Sequence, residues 1–333
     1  MREPAVKVGG ASGRLRRPVR SPEYDAFGPW IMPVTSREEI PLLYRGHGFD
    51  LASARLVLKL PSNVARRDAT PSMDLYDHLV IVDDAALTIL SRRPGGYDER
   101  AIPHEAICAI DYGTDLLDGW ITVHSAGEGG HGRAPALTLS SVGTSQDVVE
   151  GLASLLRSLY RSGPAPDGDA SVGSAAGGAV PMPGLEQRDL GDQDIALVTR
   201  QLALLRAEPR MRLLGYHRRR VLAAREGGGL RRLVRLVRPV VLHAAVVCGD
   251  GRELQVLHRR DWVTRGRHPE YSLACTVLPL TRVDRADVAD DPRNAGVRVL
   301  TLRCGATDLE LVVPAGSSTE QALITELGHR LTR

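Results

Sequence analysis

Apolar residues in this chain come in short runs broken by turn signals, and twice such a series closes on one capped helix. That pattern restricts the fold more than any other feature. Short, half-buried strands need antiparallel neighbours, and the single helix ending each series must cover the face the strands leave open. In the first series 54–60 alternates, with Leu56, Leu58 and Leu60 on one side and Arg55, Val57 and Lys59 on the other, which predicts a half-buried strand. Runs at 78–82 and 87–90 are joined by Asp83-Asp84-Ala85-Ala86, a tight-turn candidate. Strand patterns follow at 100–112, 120–123 and 137–139, with a glycine-rich hairpin tip at 127–132. The closing helix opens at Thr144-Ser145-Gln146-Asp147, where a hydroxyl and a carboxylate can cap free amides, and its stripe is Val148, Leu152, Leu155, Leu156 and Leu159.

In the second series 243–248 and 254–258 flank Gly249-Asp250-Gly251, a strong hairpin signal. Strands are expected at 273–280, 297–302 and 309–313. Ser317-Ser318-Thr319-Glu320 is a capping box opening a helix striped by Leu323, Leu327 and Leu331. Set side by side, the run from His78 to Asp83 matches the run from His243 to Cys248. The stretch Ile102-Pro103 to Ile107 likewise matches Leu278-Pro279 to Val283.

Between the series lies 162–193, where eleven of 32 residues are Gly or Pro and none is aromatic. So little apolar surface cannot offset chain entropy, so the segment reads as a flexible linker with a coil span of about 30 Å. The expected organisation is a flexible basic arm at 1–29, an N-terminal extension plus first domain at 30–161, the linker, a helical basic segment at 194–239, and a second domain at 240–333. A length of 333 residues suits two or three domains.

A meander of about seven short strands closed by a C-terminal helix is similar to the pleckstrin-homology (PH)-like architecture. Local sequence carries the likeness: Val80-Ile81-Val82-Asp83-Asp84-Ala85-Ala86-Leu87-Thr88-Ile89-Leu90 resembles the opening hairpin of bacterial PH-like domains, and Ala101-Ile102-Pro103-His104-Glu105-Ala106-Ile107 resembles their Ile-Pro strand entry. The resemblance covers 78–160 and, less closely, 243–333. It implies an α+β, mainly β fold: two PH-like antiparallel β-barrel or sandwich domains in tandem, each closed by a C-terminal α-helix. Such modules dock to lipids, peptides or protein surfaces.

Composition narrows the chemistry. Apolar residues make up 43% and charged residues 25%, as in soluble globular chains, and no apolar run approaches the roughly 18 residues of a spanning helix. The first 29 residues hold no signal-like apolar core, and Cys108, Cys248, Cys275 and Cys304 lie far apart, so a reducing cytosol is expected. Ten histidines show no HExxH spacing; no P-loop or GxSxG elbow occurs; adjacent His104 and Glu105 would face opposite ways on a strand. Asp111, Asp115 and Asp118 lack the rhythm of a calcium loop, and Asp287, Asp290 and Asp291 beside Pro292-Arg293-Asn294 read as a solvated turn. No catalytic, cofactor-binding or metal-ligating residue is expected. The function expected is a non-catalytic adaptor, with an autonomous module for anionic lipid head groups as the alternative and a hydrolytic enzyme behind both.

Charge distribution says where such a protein would touch its partner. Residues 78–160 hold five arginines against eleven acids, a balance of −6; 243–333 is neutral; 206–238 holds eleven arginines against Glu208 and Glu226. The acidic Asp83-Asp84 turn disfavours lipid phosphate on the first domain. Two segments combine apolar and basic groups and are the expected contacts: Trp30, Ile31 and Met32, and the stretch with Arg218, Arg219, Arg220, Leu230, Arg231, Arg232, Leu233, Arg235 and Arg238. In the latter, Leu230, Leu233, Val234 and Val237 fall on one helical face and arginines on the other. Arg259, Arg260, Arg265 and Arg267 leave a weaker option for an anionic ligand. The expected partner is a protein, on the cytoplasmic face of an integral membrane complex, with an anionic membrane surface as a second contact. Nucleic acid is not expected, because net charge is only +3 and aromatics are 4%.

Overall fold

A computed structural model describes residues 21–126, 137–142, 145–162, 184–225, 238–266, 270–305 and 307–331. The hairpin tip at 127–132, most of the basic arm and linker, the stripe from Leu230 to Val237, and Arg267 lie outside the described residues.

The first half starts with α1 (Pro22–Ala26) and holds β1 (Met32–Pro33), β2 (Leu56–Pro61), β3 (Tyr76–Val82), β4 (Ala86–Arg93), β5 (Gly96–Pro103), β6 (Ile107–Asp115), β7 (Asp118–Ser125) and β8 (Leu137–Val142), then α2 (Gln146–Ser162). The second half begins with α3 (Gln187–Leu190) and α4 (Ile195–Ala207). Its strands are β9 (Arg212–His217), β10 (Arg220–Leu222), β11 (Val240–Leu242), β12 (Ala245–Gly249), β13 (Glu253–His258), β14 (Val263–Arg265), β15 (Leu273–Pro279), β16 (Arg285–Asp290), β17 (Val297–Cys304) and β18 (Thr307–Pro314), and it ends on α5 (Ser318–Leu327). The fold is α+β and mainly β. Every ladder is antiparallel, and the described sheets stay open rather than closing into a barrel.

The two halves repeat local chemistry. In each, a strand ending in proline (Pro103, Pro279) runs into one 3-10 turn and then the next strand. Asp83 Oδ1 accepts the amides of Ala85 and Ala86, and Asp250 Oδ1 accepts those of Arg252 and Glu253, all at 2.8–2.9 Å. These side-chain turns fix both hairpins. His104 N–H then donates to Ala85 O, as Leu280 N–H donates to Arg252 O. Shared turn geometry aligns Asp83 with Asp250, two residues away from the pairing of His78 with His243. His243 precedes β12, and its ring bonds Thr264 Oγ1 instead.

The halves also share a sheet. Its order is β8-β7-β6-β15-β13-β12-β9, and its seam is β6 against β15, from Thr114 opposite Leu273 to Ile110 opposite Val277. Gly113 permits that approach: a Cβ there would stand 2.3 Å from Leu273 O. One apolar core runs through both halves, from Leu58 and Val80 to Val246 and Val277, and α2 buries Val149, Leu152 and Leu156 in it.

Three elements differ from the sequence expectation. β2 is buried on both faces, because residues 24–51 pack a further core (Phe27, Tyr44, Val57, Leu79) over its outer side. Lys59 is therefore buried, donating to Glu39 O at 3.1 Å, and burial lowers its pKa. Arg212–His217, expected within a helical basic segment, is the edge strand β9. Its arginine-flanked Leu213 and Leu214 pack into the cores, and Gly215 lies against α5, where a Cβ would stand 2.4 Å from Ser318 O. Asp287 and Asp290, read as part of a solvated turn, lie in β16 (Arg285–Asp290), whose Ala286 is buried opposite Leu302.

Candidate interaction surfaces

The residues expected to meet a partner have different fates. Ile31 is buried, and its amide donates to Ser145 Oγ at 2.9 Å; Met32 pairs with Lys59 in the β1–β2 ladder. Of the three, Trp30 is the one left large and exposed, at 48%. Arg218 donates to the carbonyls of Asp189 and Arg188, Arg219 to Gln193 Oε1 at 2.8 Å, and Arg220 to Gly296 O at 3.3 Å. Those three arginines tie chain segments together. Arg238 is exposed, while Leu230, Arg231, Arg232, Leu233 and Arg235 lie outside the described residues.

The four arginines of the anionic-ligand option form no cluster among the described residues. Arg259 is buried: Nε and Nη2 reach Asp194 Oδ1 at 3.1 and 2.8 Å, Nη1 reaches Ser272 O at 2.6 Å, and Nη2 also reaches Gln193 O at 2.8 Å. With four of its five N–H donors engaged and the residue only 2% exposed, this guanidinium is not placed to fork onto a phosphate. Arg260 lies over the Trp120 ring, 4.6 Å from its centre. Arg265 is exposed on β14, opposite Val240.

Charged side chains converge most strongly between the halves, where sequence reasoning assigned only surface charge. Arg157 of α2 forks onto Glu208 (Nη1–Oε1 2.8 Å, Nη2–Oε2 2.7 Å) and onto Glu253 Oε1 (Nε 3.0 Å, Nη2 2.7 Å). Glu253, 1% exposed, also meets Arg161 at 3.0 Å and accepts the Tyr160 hydroxyl. Burial acts to raise Glu208, but its bonds to Arg157 hold it below the usual carboxylate range. Nothing in a single sequence marks this network, since Arg157 and Glu253 lie 96 residues apart.

A second polar group crosses the seam. Asp111 accepts Thr276 Oγ1–H at 3.0 Å and Trp120 Nε1–H at 3.3 Å, and His258 Nε2 lies 2.7 Å from Thr276 Oγ1. The residue types resemble a hydroxyl–imidazole–carboxylate set, but the geometry differs. His258 Nδ1 faces Arg259 O rather than a carboxylate, and Thr276 is buried from any substrate. Burial lowers the His258 pKa, with Asp111 acting upward.

Beside it, β6, β15, α2 and α4 leave a shallow crevice lined by Tyr112, Gly113, Glu150, Arg200 and Cys275. Arg200 pairs with Glu150 at 3.0 Å. Burial pushes the Tyr112 hydroxyl up and the Cys275 thiol up to about 12, so neither is poised as a nucleophile. Among the described residues no three His, Cys, Asp or Glu side chains are grouped to hold a metal, and no helix is long and apolar enough to cross a membrane.

The large apolar side chains left at the surface include Trp30, Leu116, Leu117, Val221 and Tyr271. Sequence analysis picked out Trp30 alone. No protein-family model matches the chain, and no curated protein matches it.

Proposed function

We propose that the protein is a non-catalytic adaptor built from two PH-like units in tandem, acting as a peripheral accessory subunit on the cytoplasmic side of an integral membrane complex. The first unit comprises β2–β5, β6–β8 and α2. The second comprises β9, β12, β13 and β15, then β16–β18 and α5. Each supplies a run of four strands, a run of three and a closing helix, the order expected of a PH-like module, with β6–β8 of the first and the four strands of the second joined in the shared seven-stranded sheet. The repeated aspartate turns support that division.

One observation carries the adaptor reading. The buried ionic side chains Arg157, Glu253, Asp194 and Arg259 bond to groups of the chain itself, while large apolar groups remain at loops and turns. A scaffold that engages its own charges and presents apolar tips is suited to docking. Lipid head-group binding has less support. The first hairpin is Asp83-Asp84, with Asp84 paired to Arg55 at 2.6 Å, and the matching hairpin of the second unit places Asp250 beside Arg161. Phosphate needs free cations there.

Native membranes solubilised in mild detergent, with the full chain tagged, test this. Copurification of an integral membrane complex at stoichiometric yield is expected. Recovery of the protein alone, from the soluble fraction, would overturn the subunit role, and sedimentation of the pure chain with anionic vesicles at physiological salt would favour the lipid module.

A further inference from the structure

The turn between β6 and β7 breaks three local rules at once. It is the two-residue hairpin Asp115-Leu116-Leu117-Asp118, and Leu116 has φ 52°, the left-handed region where such a turn favours glycine. Asp115 and Asp118 close the ladder directly opposite one another, like charge against like, and neither has an ion-pair partner among the described residues. Leu116 and Leu117 are each 71% exposed, so contacts within the chain do little to compensate. Two positions beyond the last pair of the β6–β15 seam, Thr114 with Leu273, stand Leu116 on one strand and Tyr271, 62% exposed, on the other.

The corresponding connection of the second unit is longer, running between Asp290 and Arg298, and it meets its positive φ with glycine. Between β16 and β17, Gly296 takes the positive φ of 68°, and Asp291 Oδ1 accepts the amides of Arg293 and Asn294 at 2.7 and 2.6 Å. The two-residue hairpin between β4 and β5, closed by Arg93 opposite Gly96, likewise gives its positive φ of 80° to Gly95, a relief not used at Leu116. Local rules broken without a compensating internal contact mark a site held for another purpose.

We propose that Leu116 and Leu117, flanked by Tyr271, form the anchor that holds a protein partner, seated in an apolar pocket of that partner whose rim carries lysine or arginine. This rests on the adaptor reading above and names the contact it uses. Charge decides the occupant. Asp115 and Asp118 flank the leucines within a segment whose balance is −6, so an anionic bilayer would repel the tip. A second copy meeting it tip to tip would oppose four carboxylates. A basic-rimmed protein pocket desolvates the leucines and supplies the missing countercharge together.

The experiment uses the full chain in its native cells, with a photo-crosslinking residue at Leu117. The expected adduct is one protein, and its mapped peptide holds apolar residues flanked by lysine or arginine. In parallel, Leu116→Ser with Leu117→Ser, and separately Asp115→Lys with Asp118→Lys, are expected to cut partner recovery more than tenfold with the thermal midpoint unchanged. Leu116→Gly with Leu117→Ser gives the same test on a relaxed turn should the double serine variant unfold. Adducts on lipid, on a second copy, or on a peptide without basic residues would overturn the anchor. So would wild-type recovery by the leucine variants. If wild type recovers a complex and the leucine variants recover it equally, the anchor fails and the adaptor stands; if wild type recovers none, the adaptor itself has failed.

Discussion

β6 and β16 hold the same place in the two halves, each following a proline-ended strand and a 3-10 turn, yet their outer edges are treated differently. β6 is paired along five residues with β15 of the other half. Among the described residues β16 meets there a single bridge, Ala286 to Leu331 of the C-terminal segment. Counting from the shared prolines, Gly113 of β6 corresponds to Ala289 of β16. The position where a Cβ would strike a neighbouring carbonyl at 2.3 Å is thus glycine on the paired edge and alanine on the other. Side-chain volume at this position and the Arg157–Glu253 network both favour the seam on the β6 side.

The largest effect should come from removing the buried charge behind that seam. Glu253→Ala leaves Arg157 and Arg161 facing each other with one carboxylate fewer, and loss of one partner from a buried pair costs about 3–5 kcal/mol. Urea unfolding should show that loss, whereas Arg303→Ala, which breaks only the exposed pair with Asp308, should leave the midpoint where it is.

Acid should act next, in part through a buried histidine of the second half. His217 on β9 is buried between Thr319 Oγ1 of α5 and His243 O, and burial lowers its pKa to about 4. The unfolded chain takes up a proton at this site near the ordinary value of 6.5, so its contribution is fully present above that pH and is lost as pH falls through about 4. The total is about 3 kcal/mol. His217→Gln should flatten the stability profile between pH 6.5 and 4. An unchanged slope would mean that the α5 contact does not depend on a neutral imidazole.

Smaller effects are expected at the glycines. Gly113→Ala should destabilise by about 1–3 kcal/mol, because the seam must open to admit one methyl group. Gly151→Ala in α2, where a Cβ meets nothing within 4 Å, should stabilise by about 0.5–1 kcal/mol through helix propensity. Opposite signs for the two Gly→Ala changes, read from thermal midpoints, are the expected outcome.

Local chemistry was legible in the sequence and long-range pairing was not. Asp83 and Asp250 mark their hairpins because an aspartate capping amides two and three residues on acts within one turn. Ser317 likewise announces α5 by accepting the Glu320 amide. The strand expected over 100–112 is instead broken after Pro103 by the 3-10 turn that holds His104 and Glu105, a break that alternation alone does not reveal. The seam depends on residues about 160 positions apart, and Gly113 matters only because of a carbonyl on another strand. β9 was hidden by the arginines around Leu213 and Leu214, and β16 by the aspartates on either side of Val288, charges that suggest solvent until a neighbouring strand is known. Of the expected contacts, Ile31 proved to be core and Trp30 surface, a distinction alternation alone cannot make in so short a strand.

The two halves are one body through a shared sheet, despite the Gly- and Pro-rich stretch between them. A protease site inserted near residue 172 allows that union to be broken covalently, with the cleaved protein run on a sizing column without denaturant. The shared sheet predicts that both fragments elute together at the position of the intact chain and part only when urea unfolds them. Two folded fragments eluting separately in native buffer would contradict it.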